Sequence, residues 1–479
     1  MSRSVPSILL VNPWIVDFAA YDFWNKPVGL LSVGAALRDA GCEIRLLDCM
    51  DRYHPALAGE AAARPVRAVP TGDDGSGHFP KTILDKPQLL AAVPRRWGRY
   101  GLLLETVRSL IASEPAPDVV LVTSGMTYWY PGVQAVIACI RERHPGVPVL
   151  LGGIYATLCA EHARRLSGAD RVIPGEGERT GLEAVAAITG LRIDSSRAAD
   201  AEPFPAPAQD LYPVLRSASL ITSRGCPFRC PFCASHLLTG GGFKTRSPEC
   251  VVREIESLFR EKGTVDFAFV DDALLFRKEE HFLPLLKLLA GKQLPLRLHA
   301  PNGMHPSWID GETAVLMRKT GFRTIRLSME TVNPDRLREM GGKVTAESLK
   351  EAVRRFVEAG YRPAELGAYA IMGLPGQPIA ETAETLAFVF SLGLRISLAA
   401  FSPIPGTVSW DEAVRTGLIA KDADPLVSNH AAFLALTRPA EYGRYVKLGT
   451  LAADGNGMLK SGIRPMEDRA FRKRLSEFT

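Results

Sequence analysis

No apolar run in the sequence reaches the roughly 18 residues that a membrane-spanning helix requires, so no membrane span is expected. The opening Met-Ser-Arg-Ser-Val-Pro-Ser, followed by a four-residue apolar run at 8–11, lacks the longer apolar stretch and small-residue cleavage site of a secretory signal. A cytoplasmic location is therefore expected. An excess of one charge is also missing. Lys and Arg number 57 against 52 Asp and Glu, a balance of +5 that is too even for a nucleic-acid-binding face, and no nucleic-acid partner is expected. Cysteine is sparse, eight in 479 residues, and Cys42, Cys49, Cys139, Cys159 and Cys250 stand singly in helix-like or strand-like patterns, as reduced core thiols do. Only Cys226, Cys230 and Cys233 cluster.

What is present is a long alternation of short β-branched runs with amphipathic helix-length segments, the pattern of βα units. A chain of 479 residues, 46% hydrophobic, can bury two or three cores. The fold class expected is α/β. An N-terminal doubly wound parallel sheet occupies 1–190, with strands at 8–11, 43–47, 119–123, 149–151 and 171–173 and helices at 29–40, 131–143, 158–166 and 179–188. Within it the period disappears over an insertion at 50–97, either a cap over a site or a surface excursion. Residues 191–213, rich in Ala and Pro, predict an extended linker. Over 214–410 six further units predict a (β/α)6 partial TIM-type barrel, with strands at 219–223, 266–270, 296–300, 324–327, 366–371 and 397–401 and reactive groups beyond their C-terminal ends. A C-terminal tail, 411–479, has no readable role.

The clustered cysteines lie in Thr222-Ser-Arg-Gly-Cys226-Pro-Phe-Arg-Cys230-Pro-Phe-Cys233-Ala-Ser-His236, directly after the first strand of the second series. Three thiolates on one C-x3-C-x2-C loop can hold three irons of a [4Fe-4S] cubane and leave the fourth open. An open iron can chelate the amino and carboxylate groups of S-adenosylmethionine (SAM) and pass an electron to its sulfonium. His236 offers a competing reading, a Cys3His zinc site. The loop's place at the end of the first of six strands favours the cluster.

On these residues the sequence resembles the radical SAM superfamily, and within it the large group with an N-terminal cobalamin (B12)-binding-type domain, over about 7–407. The resemblance implies that Phe232 lies near the adenine of SAM and that Asp271 and Asp272 contact its amino group; a helix N-cap is the plainer role for these aspartates. Ser328 and Glu330, in Arg326-Leu-Ser-Met-Glu-Thr, would meet the ribose and methionine parts. Gly373 and Pro375, in Gly373-Leu-Pro-Gly-Gln377, would form the adenine-side turn, with Gln377 where related patterns often carry Glu. Arg246 would pair with the SAM carboxylate, or simply be solvated.

For the first domain the family pattern is a D-x-H-x-x-G loop whose histidine reaches cobalt, then S-x-L, then a Gly-Gly pair. Here strand one is followed by Asn12-Pro-Trp-Ile-Val-Asp17, so that histidine is absent and coordination by it is excluded. Ser124-Gly-Met126 approximates S-x-L, Gly152-Gly153 follows, and Gly175 resembles a further family segment. These small residues would admit the cobalamin tail, or would serve helix–sheet packing alone in a domain that has lost the cofactor. Tyr128, Trp129 and Tyr130 could face cobalt, or only pack.

The implied activity is cobalamin-dependent radical methylation. One SAM methylates cobalamin; a second is cleaved at the cluster to abstract a substrate hydrogen, with flavodoxin or ferredoxin as electron donor. The alternatives are radical cyclisation, rearrangement or carbon–sulfur bond formation, and, from another class, a non-catalytic zinc-stabilised binding protein. The sequence does not choose a substrate.

Overall fold

The computed structural model describes residues 5–57, 72–192, 202–342 and 344–479. Short runs such as Ile-Leu-Leu-Val and Val-Val-Leu-Val, buried on both faces, form strands because only a sheet covered on each side hides every second residue in both directions. Five of them, Glu43–Asp48, Ser7–Asn12, Val119–Val122, Val149–Leu151 and Arg171–Val172, lie side by side in that order, all parallel. In chain order this is 2-1-3-4-5, a doubly wound sheet whose crossover reverses between its first and third strands, where such sheets bind ligands. Helices Val28–Asp39 and Gly177–Thr189 cover one face, packing Leu30, Val33, Leu37, Ala184 and Val185 on Ile8, Leu10, Leu121 and Leu150.

Two local features differ from the sequence expectation. A helix, Leu104–Ser113, went unpredicted because it buries only Val107 and Ile111, too narrow a stripe to stand out as a period. The 50–97 insertion contributes to sheet: its Lys81–Ile83 pairs with Gly98–Tyr100, just beyond it, which pairs with Ile15–Asp17 in a three-stranded antiparallel ribbon, and Trp97, Tyr100 and Phe18 are buried. Its residues 58–71 lie outside the described residues.

The linker is not a free tether where it is described. Residues 202–213 lie on the first sheet's helices: Gln209 is fully buried, Ala208 N–H donates to Leu31, and the Tyr212 hydroxyl donates to Asp48. Residues 193–201 of the predicted linker fall outside the described residues.

A six-stranded sheet follows in chain order: Ser217–Leu220, Asp266–Phe269, Arg297–Met304, Phe322–Glu330, Leu366–Met372 and Arg395–Ala400. By contacts the chain divides into 1–221 with 235–267, and 222–234 with 268–479. This division falls later than the predicted boundary at 191–213, because the first strand of the six and the helix Pro248–Lys262 belong with the N-terminal unit while the cysteine loop belongs with the second.

The tail is helical, Val408–Arg415, His430–Thr437, Pro439–Lys460 and Arg469–Leu475. The long helix covers the outer edge of the sixth strand. Asn456 Oδ1 accepts from Ile396 N–H at 2.9 Å and its Nδ2 donates to Ile396 C=O at 2.7 Å, so a side-chain amide stands in for a neighbouring strand. Among the described residues no helix is long and apolar enough to cross a membrane.

Candidate functional site

The cysteine loop is fixed at its start by one carboxylate. Asp271, just past the second strand and 2% exposed, accepts at Oδ1 from Thr222 N–H (3.0 Å), Thr222 Oγ1 (2.8 Å), Ser223 N–H (2.5 Å) and Ser223 Oγ (2.6 Å). These two residues lead directly into Gly225, whose φ of +94° turns the chain into Cys226. Farther along, Cys233 N–H donates to Cys230 C=O at 3.0 Å, closing a turn, and Ser409 N–H holds the Pro231 carbonyl at 2.9 Å. Phe228 stacks with His305 and Trp308, all three ring centroids within 5.4 Å of one another. The loop thus carries its thiols on a braced backbone.

None of the eight cysteines is in a disulfide, Cys230 is buried, and Cys226 and Cys233 are half-buried. Among the described residues no three His, Cys, Asp or Glu side chains are drawn together as for a single metal ion. Three thiols in C-x3-C-x2-C order on one short braced loop suit the three protein-bound irons of a cubane.

Cys226, Asp271, Asp272, Asn302, Gly303 and Ser328 line one cleft. In it Asp271 Oδ2 is buried without a hydrogen-bond partner, and burial pushes the Asp271 carboxyl up despite its four donors. Asp272 is exposed at the same rim. Asn302, near the end of the third strand in the stretch that offered a polar wall, lines the cleft while its amide N–H groups donate to the Val270 and Asp271 carbonyls at 3.0 and 3.1 Å.

The fourth strand ends in strain. Glu330, 8% exposed, has φ +62° at a register shift against the fifth strand, a conformation that costs a non-glycine residue about 1–3 kcal/mol and that surrounding contacts must hold. Ser328 Oγ donates to Gly303 C=O at 3.2 Å, and a β-carbon at Gly303 would lie 2.6 Å from that oxygen. At the fifth strand's end Gly373 (φ +81°) and Gly376 (φ +67°) bend the turn. Gln377, in place of the family's Glu, accepts from Leu374 N–H at 3.1 Å and donates to Ile371 C=O at 3.2 Å and Glu381 Oε1 at 3.1 Å. A carboxylate could make the first bond and neither of the others. Phe232, partly buried, packs against the apolar cluster that contains Ile371, Leu374, Phe401 and Trp410, which puts it on the same side as this turn.

Arg246 is neither solvated nor an open cation. It is 2% exposed, and its Nη1 donates to Glu254 at 2.7 Å and to Ile221 C=O at 3.2 Å, while its Nε is buried without a partner. The partner eight positions away on the next helix neutralises it, so its charge is already used within the N-terminal unit.

In that unit the C-terminal ends of the parallel strands form a floor of small residues. Ser124 Oγ donates to Gly152 C=O at 2.9 Å and accepts from Tyr155 N–H at 3.0 Å, locking the Gly152-Gly153 turn. Gly153 has φ +87°, and a β-carbon there would lie 2.6 Å from Ser124 O. Gly152, by contrast, meets nothing nearer than 3.8 Å, and exposed Gly175, held by Thr157 Oγ1 at 2.9 Å, has nothing within 4 Å of an added β-carbon. Open glycine surface beside a locked turn fits the passage of a long tail. Met126 is half-buried. Trp129 is held by Asp17, whose Oδ2 accepts its indole N–H at 2.7 Å, while Tyr130 stacks on Tyr155 within the core.

Comparison with known proteins agrees with both halves. The radical SAM superfamily model matches residues 220–389, and the B12 binding domain model matches 93–185. An uncharacterized methyltransferase of Pyrococcus horikoshii is 27% identical over 333 residues, covering 63% of this chain and 71% of that protein. The bacteriochlorophyllide d C-12(1)-methyltransferase of Chlorobaculum tepidum is 26% identical, covering 74% of each. The fold is similar to that of the radical SAM methyltransferase TsrM from Kitasatospora setae, with TM-score 0.61 at 20% identity over 87% of this chain and 77% of that one. With the two matches following one another along the chain and the cysteine motif inside the radical SAM match, the chain carries a B12 binding domain followed by a radical SAM domain.

Proposed function

We propose that this protein is a cobalamin-dependent radical SAM methyltransferase acting on an unactivated carbon. The observation that carries the reading is the cysteine loop, braced by Asp271 and Ser409 and opening on a cleft with a bare buried carboxylate oxygen, on a chain that also matches a B12 binding domain. When bound, the cluster supplies the electron that splits SAM, and cobalamin supplies the methyl group that is transferred.

Cys226, Cys230 and Cys233 would hold the cluster. Asp271 Oδ2 and Asp272 would accept from the N–H groups of the SAM amino group, since an unpartnered buried carboxylate oxygen and a rim carboxylate both answer an N–H donor. Ser328 and Glu330 would orient the ribose and methionine parts, and Phe232, Gly373 and Pro375 the adenine. Arg246 would act at one remove, by fixing the chain at Ile221, one residue before Thr222. Ser124, Gly152, Gly153, Gly175 and Met126 would line the cobalamin tail. The reading carries with it a flavodoxin- or ferredoxin-type donor and a cytoplasmic location.

The test is to reconstitute the protein anaerobically with iron, sulfide and hydroxocobalamin and supply reductant with SAM labelled at its methyl group. Formation of 5′-deoxyadenosine together with label on the retained cobalamin supports the reading. Formation of 5′-deoxyadenosine by a protein that retains no cobalamin would move the activity to cyclisation, rearrangement or carbon–sulfur bond formation.

A further inference from the structure

Four successive carbonyls of the Leu374–Gln377 turn are taken up by two guanidinium groups. Arg336 donates to Pro375 and Gly376 at 3.4 and 3.3 Å, and Arg438 donates to Leu374 at 2.7 Å and to Gln377 at 3.2 Å. Arg336 comes from the short helix after the fourth strand and is paired with Glu381 at 2.8 Å. Arg438 comes from the C-terminal tail, at the start of the long helix Pro439–Lys460. It is oriented by the buried Tyr445, whose hydroxyl accepts from Nη1 at 2.7 Å.

The same stretch of tail touches the turn and the cysteine loop at three other places. A β-carbon on Gly373 would lie 2.4 Å from Leu434 Cδ2, so the two are in close contact. Phe433 packs edge-on to Phe401 in the cluster that holds Phe232, Ile371 and Leu374. Ser409 N–H binds the carbonyl of Pro231, between the second and third cysteines.

We propose that Arg438 is a positioning residue for SAM, and that residues 408–438 are a working part of the radical-initiating site. The inference rests on the reading that the Gly373–Gln377 turn forms the adenine side of the SAM site. With its carbonyls drawn to the two guanidinium groups, the turn holds one shape before SAM arrives, and SAM binding need not order it. An arginine suits the task because its planar fork spans two carbonyls three residues apart, which a lysine cannot do with one nitrogen.

The test measures 5′-deoxyadenosine formation against SAM concentration for the parent, Arg438→Met and Arg438→Lys, each with iron content determined. Arg438→Met is expected to raise the KM for SAM about tenfold or more, the scale of losing two charge-assisted hydrogen bonds from a preformed turn, with iron content unchanged. Arg438→Lys, keeping one bond, falls between. A folded, iron-loaded Arg438→Met protein with a KM within about twofold of the parent overturns the proposal, as does a parallel loss of iron and turnover at constant KM. If Arg438→Met does not fold, Tyr445→Phe removes only the orienting hydroxyl: a raised KM supports the clamp, and an unchanged one refutes it. A parent that makes no 5′-deoxyadenosine contradicts the radical reading instead, and equilibrium binding of SAM to parent and variant then decides the clamp alone.

Discussion

Replacing Asp271 by Ala tests whether the cysteine loop is held from beneath. The substitution removes the single acceptor of two backbone N–H groups and two hydroxyls on Thr222 and Ser223, both 1% exposed. The hydroxyls can rotate to other acceptors; the two N–H groups cannot. Each buried donor left unpaired costs about 1–3 kcal/mol, so the loss is roughly 2–6 kcal/mol, reduced because a buried carboxylate is no longer desolvated. A net loss of about 3 kcal/mol is expected. Asp271→Asn keeps an oxygen acceptor in the same place and should cost about 1 kcal/mol, the difference between a charged and a neutral acceptor. Denaturant unfolding of the cluster-free protein measures the stability, and iron and sulfide uptake on reconstitution measures the loop. Unchanged unfolding and unchanged iron uptake in Asp271→Ala would refute the brace. Equal damage from Asn and Ala would show that charge, rather than the acceptor, is what matters.

Two further outcomes follow from the geometry. Gly153→Ala places a β-carbon 2.6 Å from Ser124 O at φ +87°, and should lower stability by about 2 kcal/mol or more and abolish retention of added cobalamin; a variant that melts and retains cobalamin like the parent contradicts the locked-turn account. The Asp310 carboxyl, which burial alone would raise, is pulled down to about 2 by Lys278 and by the Thr313 donors. Because that lies below the unfolded value of about 3.9, its contribution is present above about pH 4 and lost as pH falls toward 2, so Asp310→Asn should flatten the acid limb of the stability profile. An unaltered acid limb would show that the pair contributes nothing.

The strands of both sheets were legible because parallel strands buried on both faces are continuous apolar runs, and the cysteine motif was legible because its spacing is local. What escaped the sequence was set by partners far along the chain. Arg246 looks like an open cation until Glu254 is folded against it, and Asp271 looks like a helix cap until Thr222 and Ser223, 49 and 48 residues earlier, reach its Oδ1. The antiparallel ribbon that Lys81–Ile83 joins was hidden because its strands are three residues long, too short for alternation to show. Likewise nothing in the tail sequence marks Asn456 as an edge cap or Arg438 as a clamp, since each acts through one side chain on a strand or turn some 60 residues away.

The central claim is that Cys226, Cys230 and Cys233 hold the cluster that cleaves SAM. Its most direct measurement is reductive 5′-deoxyadenosine formation by the anaerobically reconstituted parent and by Cys230→Ala. Product is expected from the parent and none above background from the variant, with the variant's iron content reduced. Product from Cys230→Ala at the parent rate, or a colourless parent carrying one zinc and no sulfide, would contradict it.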